Sequence, residues 1–238
     1  MWRAPIDNER DLASTPLESR WRRLGLDRLT HRLERINLVD GALEVTHRTA
    51  PAATDLAFRT VFRWSCSDQA VTLDVFAEPE GTWPVPLPRI GLRLSLPAKL
   101  ANVAWFGLGP GETYPDSRAA ARIGHFESMV AALQTPYVFP QENGHRSDVR
   151  WVRFLDKGGH GLEISGRQAF GFTARPWTSE TLDKARHASE LVASERVWVT
   201  LDSAVQGLGS ASCGPGPLSQ YDLIAGPVRV SYRTHLLG

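Results

Sequence analysis

Lysine is nearly absent from this 238-residue chain: Lys99, Lys157 and Lys184 are the only three, so almost all positive charge is arginine. Lys+Arg 27 against Asp+Glu 26 leaves a formal net charge of +1. That balance shows no electrostatic footprint for nucleic acid or for an anionic membrane. Cysteine is scarce as well. Cys66 and Cys213 lie far apart and form no CxxC, which gives a metal site or disulfide framework little support. Cys66 reads as a small buried core residue. Seven histidines (His31, His47, His125, His145, His160, His187, His235) are scattered without the HxH or HExxH spacing that sets two imidazoles on one metal.

Long apolar runs are missing too, so no segment reads as a bilayer crossing, and MWRAPIDNER lacks the basic-then-apolar pattern of a secretory signal. The expectation is a cytoplasmic bacterial protein. GxSxG, GxxxxGK[ST] and a GxGxxG following a strand are all absent, which removes the local signatures of lipase, kinase and dinucleotide chemistry. Paired carboxylates for glycoside hydrolysis need a separation that sequence does not give. The acids that read as exposed are Asp7, Glu9, Glu112, Asp116 and Glu142.

What is present is alternation with a period of two. In FRTVFRWSC, Phe58, Thr60, Phe62, Trp64 and Cys66 share one face and Arg59, Val61, Arg63 and Ser65 the other, as in a half-buried strand. AVTLDVFAE, RIGLRLSLP, VWVTLDS and PVRVSYRTHL repeat the pattern. Asp40-Gly41 and Asp156-Lys157-Gly158-Gly159 sit between alternating runs as hairpin turns. The reading is one antiparallel all-β domain spanning 1–238, a length that sandwiches and barrels commonly reach. One short helix is expected near the start, with Thr15 as N-cap, Pro16 at the first position, Glu18 closing a capping box and Gly25 as the stop. A second is expected at SETLDKARH, capped by Ser179.

Four segments carry a resemblance. MWRAPIDN, WFGLGPGETYPD (105–116), TPYVFPQENG (135–144) and GLGSASCGP (207–215) follow one another as do the motifs of the C-terminal domain, the fifth domain or small chain, of the large bacterial β-galactosidases of glycoside hydrolase family 2. The resemblance implies a large antiparallel super-sandwich similar to galactose mutarotase. It also implies a role in hydrolysis of β-galactosides: forming part of an active-site mouth and an assembly interface, beside a TIM barrel that carries the catalytic glutamates. The chain itself then has no catalytic residue and is inactive when isolated, either as an excised domain or as a separately encoded small subunit. The implied partners are that barrel portion and a β-galactoside sugar; a homo-oligomer is allowed. The implied cofactors, magnesium and a monovalent cation, bind largely outside this domain, with none in this chain.

The resemblance places a mobile mouth loop after WRAPxDN, here 9–14 with Glu9, Arg10 and Asp11, although the glycine of the best-known members is missing. It places Cys213, flanked by Ser212 and Gly214, where some members carry a sugar-stacking tryptophan. A thiol does not replace an aromatic platform worth about 1 kcal/mol, so Trp2, Trp177 and Tyr221 are the candidate substitutes. Glu142, Asn143, His145 and Arg146 have two readings. They line a groove and bond sugar hydroxyls, or they form a buried network in which Arg146 or Arg150 pairs with Glu142 or Asp148. Two alternatives stand beside the domain reading: a stand-alone carbohydrate-binding module, and a mutarotase-like enzyme that needs a histidine and a glutamate facing across a concave sheet.

Overall fold

The computed structural model describes residues 1–10, 16–67, 69–209 and 215–238. Among these, eleven strands form one antiparallel hydrogen-bonded system: β1 (Thr30–Val39), β2 (Ala42–Ala50), β3 (Ala57–Ser67), β4 (Ala70–Glu80), β5 (Arg89–Pro97), β6 (Asn102–Gly109), β7 (Arg122–Met129), β8 (Arg146–Leu155), β9 (Gly161–Arg175), β10 (Arg196–Val205) and β11 (Val228–Leu237). The main path runs β1-β2-β3-β4-β11-β9-β8-β6-β7, with β10 branching from β9 to carry β5. The all-β expectation is met. No helix among the described residues is long and apolar enough to cross a membrane.

The sheet folds over on itself. Leu96 of β5 and Val197, Val199 and Leu201 of β10 share one core with Val103 and Trp105 of β6, Val152 and Phe154 of β8, and Phe172 of β9. Alternation makes this possible, because each strand offers every second residue to the interior. A second core gathers Trp2, Trp21, Leu26, Phe58, Leu87 and Ile90 under the first helix. Trp21 is fully buried and anchors that helix by donating its indole N–H to the Pro86 carbonyl at 2.7 Å.

Both turn expectations hold. Asp40 (φ 50°) and Gly41 (φ 75°) link Val39 and Ala42 in a two-residue turn whose positive φ values match the twist of the paired strands. Asp156 closes the β8–β9 hairpin by accepting the amides of Gly158 at 2.8 Å and His160 at 3.1 Å. The caps differ. Helix α1 (Leu17–Leu24) has Pro16, not Thr15, as its N-cap, with no side-chain cap bond; Thr15 itself lies outside the described residues. Gly25 does stop it, in the left-handed region at φ 77°. Helix α2 (Ser179–Lys184) is capped by Thr178, whose hydroxyl accepts the Thr181 amide at 3.0 Å, and not by Ser179.

One core assignment fails. Cys66 is exposed, and Trp64, on the same face of β3, is 39% accessible. The alternation there is real, but β3 outruns the layer beneath it. Phe58 and Thr60 are buried, while Trp64, its β2 partner Leu43 and the nearby Ile36 and Leu38 of β1 remain open.

Candidate functional site

The four distinctive segments meet at one end of the sheet. The Asp7 amide donates to Gln141 Oε1 at 3.0 Å, and Gln141 Nε2 returns a bond to Asp7 Oδ2 at 3.0 Å. Asn8 Nδ2 donates to the Leu208 carbonyl at 2.9 Å. Asp116 accepts the amides of Leu208 at 2.9 Å and Gly209 at 2.8 Å. Glu112 accepts the Gly144 amide at 2.6 Å, and the Thr113 amide donates to the His145 carbonyl at 2.7 Å. Each motif thus satisfies backbone groups of another, as buried polar backbone requires.

Beneath this junction lies a buried charge network. Glu142 accepts from Arg175 at 3.0 and 3.2 Å and from Arg89 at 3.2 Å, with all three side chains at most 3% accessible. Burial alone would push the Glu142 carboxyl up; Arg175 and Arg89 outweigh it and hold it at about 2. Arg89 also lies 3.1 Å from Asp202 Oδ1. Arg3 grips Glu9 through a two-pronged pair at 2.6 and 2.9 Å, yet burial pushes the Glu9 carboxyl up against that pull. Glu9 and Glu142 are therefore not the exposed acids that their loops suggest.

A buried network is present at this motif, with partners other than those expected. Glu142 pairs with Arg89 and Arg175, not with Arg146 or Arg150. Arg146 spends its guanidinium on the carbonyls of Leu133, Gly144 and Pro110. Arg150 bonds the Asp148 carbonyl, while Arg118 takes the Asp148 carboxylate. Asn143 ties the loop internally, accepting the Thr135 amide and donating to the Gln141 carbonyl. At Gly144, φ is 77° and an added Cβ would stand 2.8 Å from the Leu133 carbonyl, so the loop requires glycine there.

The first half of the same motif behaves oppositely. Tyr137, Val138 and Phe139 project from the surface, Val138 being 91% accessible. Arg10 lies over the Phe139 ring at 4.0 Å and donates to the Pro140 carbonyl, so the chain after WRAPIDN and the apolar knuckle hold each other in place. Asp11, Ser212, Cys213 and Gly214 lie outside the described residues. Of the candidate aromatic platforms, Trp2 is buried against Trp21, while Trp177 and Tyr221 are partly exposed.

His145 stacks on buried Tyr114 with ring centroids 5.3 Å apart, and its Nε2 stands 3.5 Å from Asp202 Oδ2. Both groups line a cavity of about 320 Å³ with Tyr221 at its wall. The carboxylate facing His145 is thus Asp202, not the neighbouring Glu142. Sequence reasoning missed Arg3, Arg89, Arg175 and Asp202. Arg89 opens β5, Arg175 closes β9 and Asp202 lies within β10, each far along the chain from its partner; Arg3 lies six residues from Glu9. Among the described residues no three His, Cys, Asp or Glu are placed to hold one metal ion.

The family model for the beta-galactosidase small chain matches residues 1–236. A beta-galactosidase from Arthrobacter sp. (strain B7) is 35% identical over 90% of this chain and 23% of its own length. One from Vibrio cholerae is 34% identical over 87% of the chain and 20% of its own length. The chain therefore spans about a fifth to a quarter of these relatives. Among solved structures, a putative aldose 1-epimerase from Escherichia coli K12 aligns at 8% identity over 87% of this chain and 68% of its own, with a TM-score of 0.46.

Proposed function

Since the chain belongs to the beta-galactosidase small chain family, we propose that it is the part of a β-galactosidase that docks against the catalytic portion. There it completes the mouth of the active site without supplying a catalytic carboxylate. The observation that carries this reading is the apolar knuckle. Val138 stands 91% accessible between the partly open rings of Tyr137 and Phe139, on a loop tied down by Asn143, by the Gly144 amide on Glu112 and by Arg10 over Phe139. Exposed apolar groups on a fixed scaffold suit a partner surface. The open row of Ile36, Leu38, Leu43 and Trp64 adds a second apolar area.

The carboxylates at the junction fit a supporting role. Glu142 is locked as an anion between two arginines, and Glu9 is enclosed with Arg3 at 1% accessible, out of reach of a glycosidic oxygen. The function can be tested by mixing the chain with the Arthrobacter relative trimmed of its matching segment and following elution by size. The expectation is co-elution of the two, lost in Val138→Asp while the variant keeps the wild-type melting temperature. Separate elution of wild-type chain and trimmed enzyme at micromolar concentration would overturn the docking role.

A further inference from the structure

Around His145 the sheet is thinned by glycine. Asp202 on β10 is flanked in register by Gly91 of β5 and Gly171 of β9. An added Cβ on Gly91 would collide with Asp202 Oδ1, and one on Gly171 with the His145 ring at Nε2. Two glycines thus make room for one histidine and one aspartate at the floor of the cavity.

The hydrogen bonds fix what the floor offers. His145 Nδ1 lies 2.8 Å from the Thr113 carbonyl, which only accepts, so Nδ1 carries a hydrogen. Nε2 is buried and without a hydrogen-bond partner. It faces Asp202 Oδ2 across 3.5 Å. Asp202 Oδ1 likewise has no hydrogen bond, although the Arg89 guanidinium lies 3.1 Å away as an ionic partner. Buried polar atoms left in this state are costly unless a partner arrives. The cavity, at about 320 Å³, has the capacity of several waters and the size of a small ligand site.

We propose that this cavity is a sugar subsite: a neutral, hydroxyl-rich ring of hexose size pairs its hydroxyls with His145 Nε2 and Asp202, with an apolar ring face against Tyr221. Asp148 on the lining is paired with Arg118 and Asp202 with Arg89, so the charges around the cavity balance and suit a neutral ligand. A purely apolar ligand leaves His145 Nε2 and Asp202 Oδ1 unmet. Tyr221 supplies the flat amphipathic wall that a pyranose face packs on. Asp202 belongs to this site although no sequence pattern pointed to it, and the lining includes none of Tyr137, Val138 and Phe139. The inference takes from the proposed function only the choice of galactose as probe.

The test is titration of the 238-residue chain alone with D-galactose, following the His145 ring signals and the amides of Gly171 and Tyr221 by NMR. Parallel arms use D-glucose and the open-chain polyol sorbitol. Saturable shifts at these positions are expected, with an affinity of about millimolar, tighter for the ring sugars than for sorbitol. Tyr221→Ala, a partly exposed position, should weaken binding about 5-fold, and His145→Phe, which removes the polar ring nitrogens but keeps a ring, should abolish it. Absence of saturable shifts with all three probes overturns the subsite. So does binding that survives His145→Phe. Neither result depends on docking to a catalytic portion, so a failed subsite and a failed docking role are told apart.

Discussion

Replacing Glu142 by glutamine is the sharpest probe of how the junction is held. The side chain keeps its shape, but two buried arginines lose their shared counter-charge. Arg175 donates to it at 3.0 and 3.2 Å and Arg89 at 3.2 Å, with no more than 3% of any of these side chains accessible. The displacement of the carboxyl from 4.5 to about 2 corresponds to about 3 kcal/mol favouring the ionised form in the fold. Removing one partner of a buried pair costs about 3–5 kcal/mol on independent grounds. Because whole domains are stable by only about 5–15 kcal/mol, Glu142→Gln should remove a large fraction of the total. Urea unfolding followed by tryptophan fluorescence at neutral pH reads this directly. The same linkage sets a pH window. Glu142 has a depressed folded-state pKa, so its contribution is whole above about 4.5 and is lost as pH falls through about 2. The gap between wild type and variant should therefore close on acidification. A variant within about 0.5 kcal/mol of wild type at neutral pH, the range of an ordinary surface change, or a gap that does not shrink in acid, would refute the clamp.

Gly144→Ala should destabilise by more than about 1 kcal/mol, because φ is 77° and the new methyl meets the Leu133 carbonyl; thermal unfolding measures it. Trp21→Ala, which empties a fully buried site and abandons the bond to Pro86, should cost about 3–5 kcal/mol by chemical denaturation. Asp116→Ala should speed hydrogen exchange at the Leu208 and Gly209 amides, which it alone accepts, while strongly protected amides in β8 and β9 stay slow. Asp148→Asn, at a rim pair in which both side chains are about half exposed, should change stability by less than about 1 kcal/mol in the same denaturation assay.

The strand alternation was legible because each inward residue has its reason within two positions along the chain. FRTVFRWSC shows both the strength and the limit of that reading. Its faces are right, but whether Trp64 and Cys66 are covered depends on how far the opposing layer reaches, which no local pattern encodes. The turns at Asp40-Gly41 and Asp156–Gly159 were legible because they need positive φ or a short acceptor. The cap at α2 shifted by one residue to Thr178, because Thr178, Ser179 and Thr181 all carry hydroxyls and the chain entering the helix decides among them. The motif 135–144 drew attention through its mixed composition. The structure separates the mixture, with apolar residues outside as a knuckle and polar residues inside as its support. Arg89, Arg175 and Asp202 were invisible to sequence because their partners Glu142 and His145, in the loop before β8, lie 33 to 57 positions away.

The central claim is that this chain completes an enzyme whose carboxylates lie elsewhere, and hydrolysis of a chromogenic β-galactoside tests it most directly. The account predicts no turnover by the purified chain, little by the Arthrobacter relative trimmed of its matching segment, and restored turnover when the two are mixed. Cleavage by the chain unaided, or a mixture no more active than its parts, would contradict it.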